Sequence, residues 1–403
     1  MEYDVIVIGA GPAGSTFARI AAEHGLNVII FDKRKEIGNP VRCAEGLGAK
    51  TILEQELDLP RYVYSTEIYG AKIVGPNGQE IVLKNDSTRG WVLERKFFDK
   101  WLTELATKAG AKVKTYHRVF DVIKENGKIK GVRVSHGGRE PFDVYAKLIV
   151  SAEGMESLTA RKMGFPTVHR LYDVDTCYQY ELQPYEHENL IELYFGNTVA
   201  PRGYVWVFPK ANKKANVGIG IGAHLETHIK KSGIKGADPK HFLDKFINAR
   251  LGDTNTLLDF GGVISVGAPL SKFTMDNAMV IGTAAKQVDP IHGGGIALAM
   301  EAGAMSAIAA AKAFEANDFS EQFLYNHYEK PWRDDTGKKL NDRLKLRKAL
   351  EKLNDDDLNY IFDNLTPTDL DDILLSKFTG VVKKMLLGRP QLLKVLQPLL
   401  MGP

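Results

Sequence analysis

Val5-Ile6-Val7-Ile8-Gly9-Ala10-Gly11-Pro12-Ala13-Gly14 is the stretch that decides the fold. Four consecutive β-branched residues read as a buried strand and the glycines as a tight turn. Ser15 to Ala22, rich in small residues, reads as a helix that closes at Gly25. Val28-Ile29-Ile30-Phe31 is a second apolar strand, ending on Asp32. The run fits G-x-G-x-x-G between strand and helix, with an acid 23 residues after the first glycine. That context, more than the glycines themselves in a chain holding 38 of them, marks a dinucleotide-binding βαβ unit. Gly9 makes the turn, Gly11 lets backbone approach a pyrophosphate, and Gly14 permits close helix–strand packing. The helix start offers free N–H groups and a positive dipole end to phosphate. Asp32 is placed to accept hydrogen bonds from a ribose hydroxyl pair. The motif specifies a dinucleotide without saying which one.

Outside this run, 403 residues suffice for two or three domains. With 44% hydrophobic and 26% charged residues the composition is that of a globular protein, and a net charge of +3 does not point to nucleic acid. Cys43 and Cys177 are the only cysteines, with no C-x-x-C and no ligand-like histidine spacing. This argues against a disulfide framework and against a metal site, and for a reducing compartment. The first strand begins at once, so no signal peptide is expected, and no run reaches the roughly 18 apolar residues of a membrane span. The expected location is cytoplasmic.

Residues 33–48 form a polar loop that in dinucleotide folds lies over the cofactor. Residues 62–94 alternate as antiparallel strands, with Pro76-Asn77-Gly78 as a turn. An amphipathic helix follows from Leu93 to Ala109, then strands around Val113–Val119 and Val132–Val134 with a hairpin at Glu125-Asn126-Gly127, and a buried strand ending at Glu153-Gly154. From about 168 to 265 alternation returns in CYQYEL, LIELYFG, GYVWVFPK and ANVGIGIG, which reads as an antiparallel sheet with one face free to line a pocket. Residues 278–314 revert to α/β, with a long small-residue helix from Gly294 to Phe314. The fold class is therefore α/β: a Rossmann-type cofactor domain (1–61, 90–167 and 266–330), interrupted by an antiparallel-sheet substrate domain (62–89 and 168–265). A C-terminal helical region, 331–403, completes the chain. Its end is basic and leucine-rich, without acids after Asp372. Such a stretch can lie in a membrane interface as a peripheral contact, or pack on the body with a solvated basic face.

The late return to α/β narrows the cofactor. Ile281-Gly282-Thr283-Ala284-Ala285 follows an apolar strand, and Asp289-Pro290-Ile291-His292-Gly293-Gly294-Gly295-Ile296 opens a helix. A nicotinamide enzyme of the common type needs no such second site. FAD does, because the extended flavin reaches from the first glycine turn to a second glycine-rich helix start. There the N–H groups and dipole favour the negative charge of reduced flavin.

These residues resemble the archaeal geranylgeranyl reductases, of the flavoprotein superfamily that also holds para-hydroxybenzoate hydroxylase. The resemblance covers almost the whole chain. Its most specific pieces are Pro40-Val41-Arg42-Cys43-Ala44-Glu45-Gly46 and Gly203-Tyr204-Val205-Trp206-Val207-Phe208-Pro209, with Asp289-Pro290 and the Gly293–Ile296 run. It implies reduction of isolated double bonds in the geranylgeranyl chains of an archaeal ether (phospho)lipid precursor, with reduced FAD as hydride donor. It places cofactor contacts at Ala13, Asp32, Cys43, Ala44, Gly46, Arg95, Val119, Thr283, Gly295 and Ile296, beside Gly9, Gly11, Gly14 and Gly294 of the glycine turns. Tyr204, Trp206 and Phe208 share one strand face and are expected to line an apolar channel for the prenylated lipid. Cys43 and His292 are the candidate proton donors. The physiological electron donor stays open among ferredoxin, a deazaflavin and a nicotinamide.

The chain departs from the superfamily pattern at several points. Thr283 stands where an Asp is usual, Glu153 replaces the Asp of Ala-Asp-Gly, His292 replaces a Thr, and Leu298 an Asn. Two other readings compete: an FAD-dependent monooxygenase or other flavin oxidoreductase on a small hydrophobic substrate, and a non-catalytic flavin-binding lipid carrier.

Overall fold

The architecture comes from a computed structural model, which describes residues 2–224, 238–374 and 376–400. The chain forms two compact units. One comprises Met1–Val41, Glu94–His169 and Ala268–Lys338, the other Arg42–Leu93, Arg170–Gly267 and Lys339–Pro403.

The first unit is built on an eight-stranded sheet. Across it run Thr274–Met275, Ala278–Val280, Phe142–Ser151, Glu2–Ile8, Val28–Phe31 and Lys112–Lys114. From Ala278–Val280 onward these strands are parallel, and the central ones, Val5–Ile8, Val28–Phe31 and the Leu148–Val150 end of Phe142–Ser151, are apolar on both faces rather than alternating. A hairpin of His117–Glu125 and Lys128–His136 adds to Phe142–Ser151. It turns at Asn126 and Gly127, whose φ values of 49° and 79° suit a tight two-residue connection. The first helix runs Pro12–Glu23 and so begins at Pro12, earlier than the small-residue run suggested. Proline fits there because the first helical N–H has no intrahelical partner to lose.

Helix Ile296–Ala316 is long and apolar enough to cross a membrane by length and composition, against the expectation of no such run, but most of it is buried. It packs across Pro12–Glu23, and a Cβ on its Gly303 would lie 2.5 Å from the Ala13 carbonyl oxygen. It is a core helix whose small residues allow two backbones to approach.

The second unit carries a seven-stranded sheet in the order Asn255–Ser265, Val174–Gln183, Lys214–Gly222, Tyr204–Lys210, Leu190–Tyr194, Gly70–Val74 and Glu80–Lys84. The pairings are antiparallel except for one: Leu190–Tyr194 runs parallel to Gly70–Val74, joined through the long excursion of the chain out of this sheet between Lys84 and Val174. One face packs Val205, Val207, Val217, Ile219 and Ile221 against Phe242, Leu243, Phe246 and Ile247 of helix Pro239–Arg250. A separate three-stranded sheet joins Gly46–Gly48, Gly90–Leu93 and Tyr64–Ile68.

The units cut the chain differently from the expected domains. Residues 42–61 and 90–93 fall in the second unit, since Gly46–Gly48 pairs with Gly90–Leu93. Residues 331–403 are not a separate region: 331–338 belong to the first unit and 339–403 to the second. There Arg347 donates to Asp175 Oδ1 at 2.7 Å, and Phe362 and Leu370 pack with Ile81. Residues 225–237 of the expected substrate sheet and 401–403 of the basic tail lie outside the described residues.

Candidate active site

In the first unit the glycine turn is shaped by three different demands. Gly9 has a φ of +103°, and a Cβ there would sit 2.5 Å from the Ala152 carbonyl oxygen. A Cβ on Gly14 would sit 2.0 Å from the carbonyl oxygen of Gly9. Both glycines are thus required by the protein's own packing. At Gly11 a Cβ would meet nothing within 4 Å, so the protein itself does not exclude a side chain there. Gly11 is also the N-cap of Pro12–Glu23 and provides no side-chain cap. Open space before uncapped helix N–H groups is what a phosphate needs.

Asp32 is buried and tied to this turn: Ala10 N–H donates to its Oδ2 at 2.9 Å and Arg34 N–H to its Oδ1 at 2.8 Å. A carboxylate has about four acceptor positions, so capacity for a ribose remains. Arg95 makes a bidentate pair with the buried Asp99, at 2.8 Å from Nε and 2.9 Å from a terminal nitrogen, which fixes the direction of its guanidinium. Val119 is buried in the hairpin. Glu153, at the superfamily's Asp position, accepts from Thr159 N–H and Ala160 N–H at 3.1 and 2.9 Å and from the Ser151 hydroxyl, so it caps the next helix.

The late motif meets the first one directly. A Cβ on Gly282, whose φ is +67°, would lie 2.9 Å from the Ala13 Cβ. One on Gly295 would lie 3.6 Å from the Thr283 hydroxyl. Ala13, Gly282, Thr283 and Gly295 therefore form one continuous row, though they are up to 282 residues apart in sequence. Gln287, fully buried and missed by sequence reasoning, holds this turn: its Oε1 accepts from Gly282 N–H at 2.7 Å and its amide donates to Tyr328 at 3.0 Å. Gly295 is the N-cap of Ile296–Ala316, again without a side-chain cap.

His292 is half exposed and engaged on both ring nitrogens. Gly294 N–H donates to Nδ1 at 3.0 Å, and Nε2 lies 3.2 Å from Asp289 Oδ2. With Nδ1 acting as acceptor, the ring proton is assigned to Nε2 and faces Asp289. Asp289, almost fully buried, also accepts from Ile291 N–H and His292 N–H. The ring thus fastens its own loop.

In the second unit the strand Tyr204–Lys210 places Val205 and Val207 in the core, and Tyr204, Trp206 and Phe208 on the opposite face. The Trp206 ring lies over Gly218, where a Cβ would come within 2.3 Å of it. Tyr204 meets Trp206 edge to face with centroids 6.0 Å apart, and Phe195 continues the row 5.6 Å from Tyr204. The Cys43–Gly46 segment lies on this same face. A Cβ on Gly46 would be 2.8 Å from the Phe208 ring. Gln179 accepts from the Trp206 indole N–H at 3.1 Å, and its own amide lies 3.4 Å from the Cys43 carbonyl. Asn216 donates to the Ala44 carbonyl at 3.3 Å and to Glu45 Oε2 at 2.8 Å.

Gln179, Glu45, Lys210 and Asn216 were not singled out from sequence. One signal was present. In Val174–Gln183, Asp175, Cys177, Gln179 and Glu181 alternate with Tyr178, Tyr180 and Leu182, which puts a polar row on the site face. Burial beside Asp175 pushes the Cys177 thiol up and keeps it neutral. Among the described residues no group of three or more His, Cys, Asp or Glu could hold a metal ion.

The parallel sheet, two uncapped glycine-rich helix starts and their meeting at Ala13 and Gly282 define an FAD-dependent oxidoreductase. Residues 4–161 match the family model "FAD dependent oxidoreductase", and residues 173–264 match "Geranylgeranyl reductase catalytic domain". The digeranylgeranylglycerophospholipid reductase of Methanosarcina acetivorans is 38% identical over 93% of this chain and 91% of its own. The protein of that name from Methanothrix thermoacetophila is 36% identical over the full length of both. The chain belongs to the digeranylgeranylglycerophospholipid reductase family. A geranylgeranyl bacteriochlorophyll reductase-like protein from Thermoplasma acidophilum superposes with a TM-score of 0.88 at 35% identity, covering 99% of each chain. The flavin-dependent brominase Bmp2, at 17–18% identity and TM-scores of 0.68–0.72 across two structures, shares the fold.

Proposed function

We infer that this protein uses FAD to reduce isolated C=C bonds in the geranylgeranyl chains of an ether (phospho)lipid precursor. The observation that carries the reading is that one sheet face holds both the Cys43–Gly46 segment and the aromatic row of Tyr204, Trp206 and Phe208. The first is the motif assigned to the flavin and the second is a surface suited to an isoprenoid. Gly9, Gly11, Ala13, Gly14, Asp32, Arg95, Val119, Thr283, Gly294, Gly295 and Ile296 are assigned to FAD, with Cys43, Ala44 and Gly46. Thr283 supplies a single hydroxyl where a carboxylate is usual, enough for one hydrogen bond to the cofactor.

When bound and reduced, FAD supplies hydride to one alkene carbon. The chain's own residues do the rest. An unactivated alkene has no carbonyl to take up the negative charge that hydride alone would bring, so a proton must reach the other alkene carbon with or ahead of hydride, and the carbon that takes the hydride becomes electron-poor. The faces of Tyr204 and Trp206 attract such electron-poor carbon, by about 0.5–2 kcal/mol per ring. The channel holds the double bond in register, which reduces the entropic part of the barrier. We assign the proton to Cys43 Sγ, since both nitrogens of His292 are engaged within its loop.

Mass spectrometry of digeranylgeranyl lipid after incubation with dithionite-reduced enzyme tests this. Gains of two hydrogens per double bond are expected. Unchanged lipid, or oxygen consumption coupled to nicotinamide oxidation with an oxygenated product, would overturn it. The Cys43→Ser variant is expected to accept electrons on its flavin as the wild type does while reducing lipid at least about 100-fold more slowly, the lower range for a lost proton donor.

The basic tail is assigned to the membrane interface. Leu387 and Leu393 are 86% and 48% exposed, and Lys383 and Lys394 lie exposed near them in sequence. Apolar tips among lysines suit an anionic lipid surface, where the substrate resides.

A further inference from the structure

We propose that Lys210 is a positioning residue for Cys43, acting through Glu45. The inference rests on the reading of Cys43 as proton donor given above. Glu45 is 4% exposed and Lys210 2%. Lys210 Nζ lies 3.0 Å from Glu45 Oε2 and 3.2 Å from Glu181 Oε2, and Lys214 pairs with the other oxygen of Glu181 at 3.0 Å. Asn216 gives Glu45 Oε2 a further hydrogen bond at 2.8 Å. A buried carboxylate held this fully is fixed in place, and removing its cation would leave an uncompensated charge.

The fixed carboxylate has a consequence for the backbone. Glu45 has a φ of +76°, a left-handed conformation that a non-glycine residue adopts only when its surroundings enforce it. In this conformation the Glu45 N–H points back at Cys43 Sγ, at 3.2 Å, while its carbonyl accepts from Leu93 N–H at 2.7 Å. The carbonyls of Cys43 and Ala44 are held by Gln179 and Asn216. Sulfur is therefore the acceptor of the Glu45 N–H, so the thiol proton is turned away from Glu45. Negative charge left on sulfur when that proton departs meets an N–H already aimed at it, which favours the charged form. Lys210 serves the thiol in two ways: it keeps Glu45 in the geometry that aims the N–H, and it neutralises a carboxylate that would otherwise oppose charge on the neighbouring sulfur. Among the described residues of this unit, Glu45, Lys210, Glu181 and Lys214 form a paired charged cluster beside the segment, and Arg42 precedes Cys43 directly in the chain.

The test uses full-length, flavin-loaded protein in a Cys177→Ala background, so that Cys43 is the only thiol. The pH profile of its alkylation by iodoacetamide is recorded beside kcat and KM for the lipid. In Lys210→Met the midpoint of alkylation should rise by about one pH unit, the size of shift expected when a hydrogen bond and a compensating charge are both lost. kcat should fall about tenfold while KM stays within about twofold, as for an interaction felt mainly at the transition state. Lys210→Arg should recover most of both changes. Since Lys210→Met strands a buried carboxylate and could unfold the protein, Glu45→Gln/Lys210→Met removes both charges. It should fold, with a midpoint between those of wild type and Lys210→Met. A folded single or double variant with the wild-type midpoint and wild-type kcat would overturn the proposal. If wild-type protein reduces no prenyl lipid, the functional reading fails, whereas the alkylation midpoints still decide whether Lys210 governs the thiol.

Discussion

Glycines that look alike in the opening motif answer to different neighbours, and substitution should separate them. Gly14→Ala pushes a methyl onto the Gly9 carbonyl, 2.0 Å away, so it is expected to prevent folding or to lower Tm sharply. Gly11→Ala meets no protein atom within 4 Å; it should fold but purify with little flavin, read from the 450 nm absorbance. Adding FAD at about 100 times Kd should stabilise wild-type apoprotein by roughly 2.7 kcal/mol and leave Gly11→Ala nearly unchanged. Gly218→Ala is the counterpart on the aromatic face. Its methyl would press on the Trp206 ring from 2.3 Å, so flavin content should persist while lipid reduction falls about tenfold or more, checked by single-turnover mass spectrometry. The glycine roles were legible in sequence because strand, turn and helix are local. Glu45, Lys210 and Gln179 were not, because each acquires meaning from a partner more than a hundred residues away. His292 was noticed for its type, yet its tautomer depended on Gly294 and Asp289.

At the scale of elements, Val174–Gln183 organises the second unit. Its polar row reaches five partners: Asp175 to Arg347, Gln179 to Trp206 and the Cys43 carbonyl, and Glu181 to Lys210 and Lys214. Arg347, nearly buried, also donates to Glu351 at 2.7 Å and to the Arg202 carbonyl at 3.1 Å. Arg347→Met should destabilise the protein by about 3–5 kcal/mol, because it removes the arginine paired with the buried Asp175, while Glu351 keeps its pair with Arg202 at 3.1 Å. Chemical denaturation with a fluorescence probe measures this, and a loss under about 1 kcal/mol would mean the cluster is dispensable. The sequence announced the strand by its alternation, and alternation also placed Tyr204, Trp206 and Phe208 together. It could not announce that the C-terminal basic helix would be drawn onto the sheet, since Arg347 reads from sequence as one more solvated charge. The parallel pairing of Leu190–Tyr194 with Gly70–Val74 was equally hidden, as adjacency in a sheet is not written in either strand.

At the scale of the molecule, the expected class and cofactor hold, and the domain boundaries moved toward two units of three segments each. The peripheral membrane assignment belongs here. Leu387→Glu should weaken co-sedimentation with anionic vesicles severalfold, while reduction of detergent-dispersed lipid stays unchanged. Equal sedimentation of both proteins would remove the tail from the interface. The junction of Ala13 with Gly282 and Gly303 carries a consequence for biosynthesis. On the ribosome the glycine turn emerges first, yet its helix lacks its packing partner until residue 303 has left the exit tunnel. Translation of three-quarters of this sequence, through residue 303, thus precedes a loadable site, so flavin meets this protein only late in its synthesis or after it.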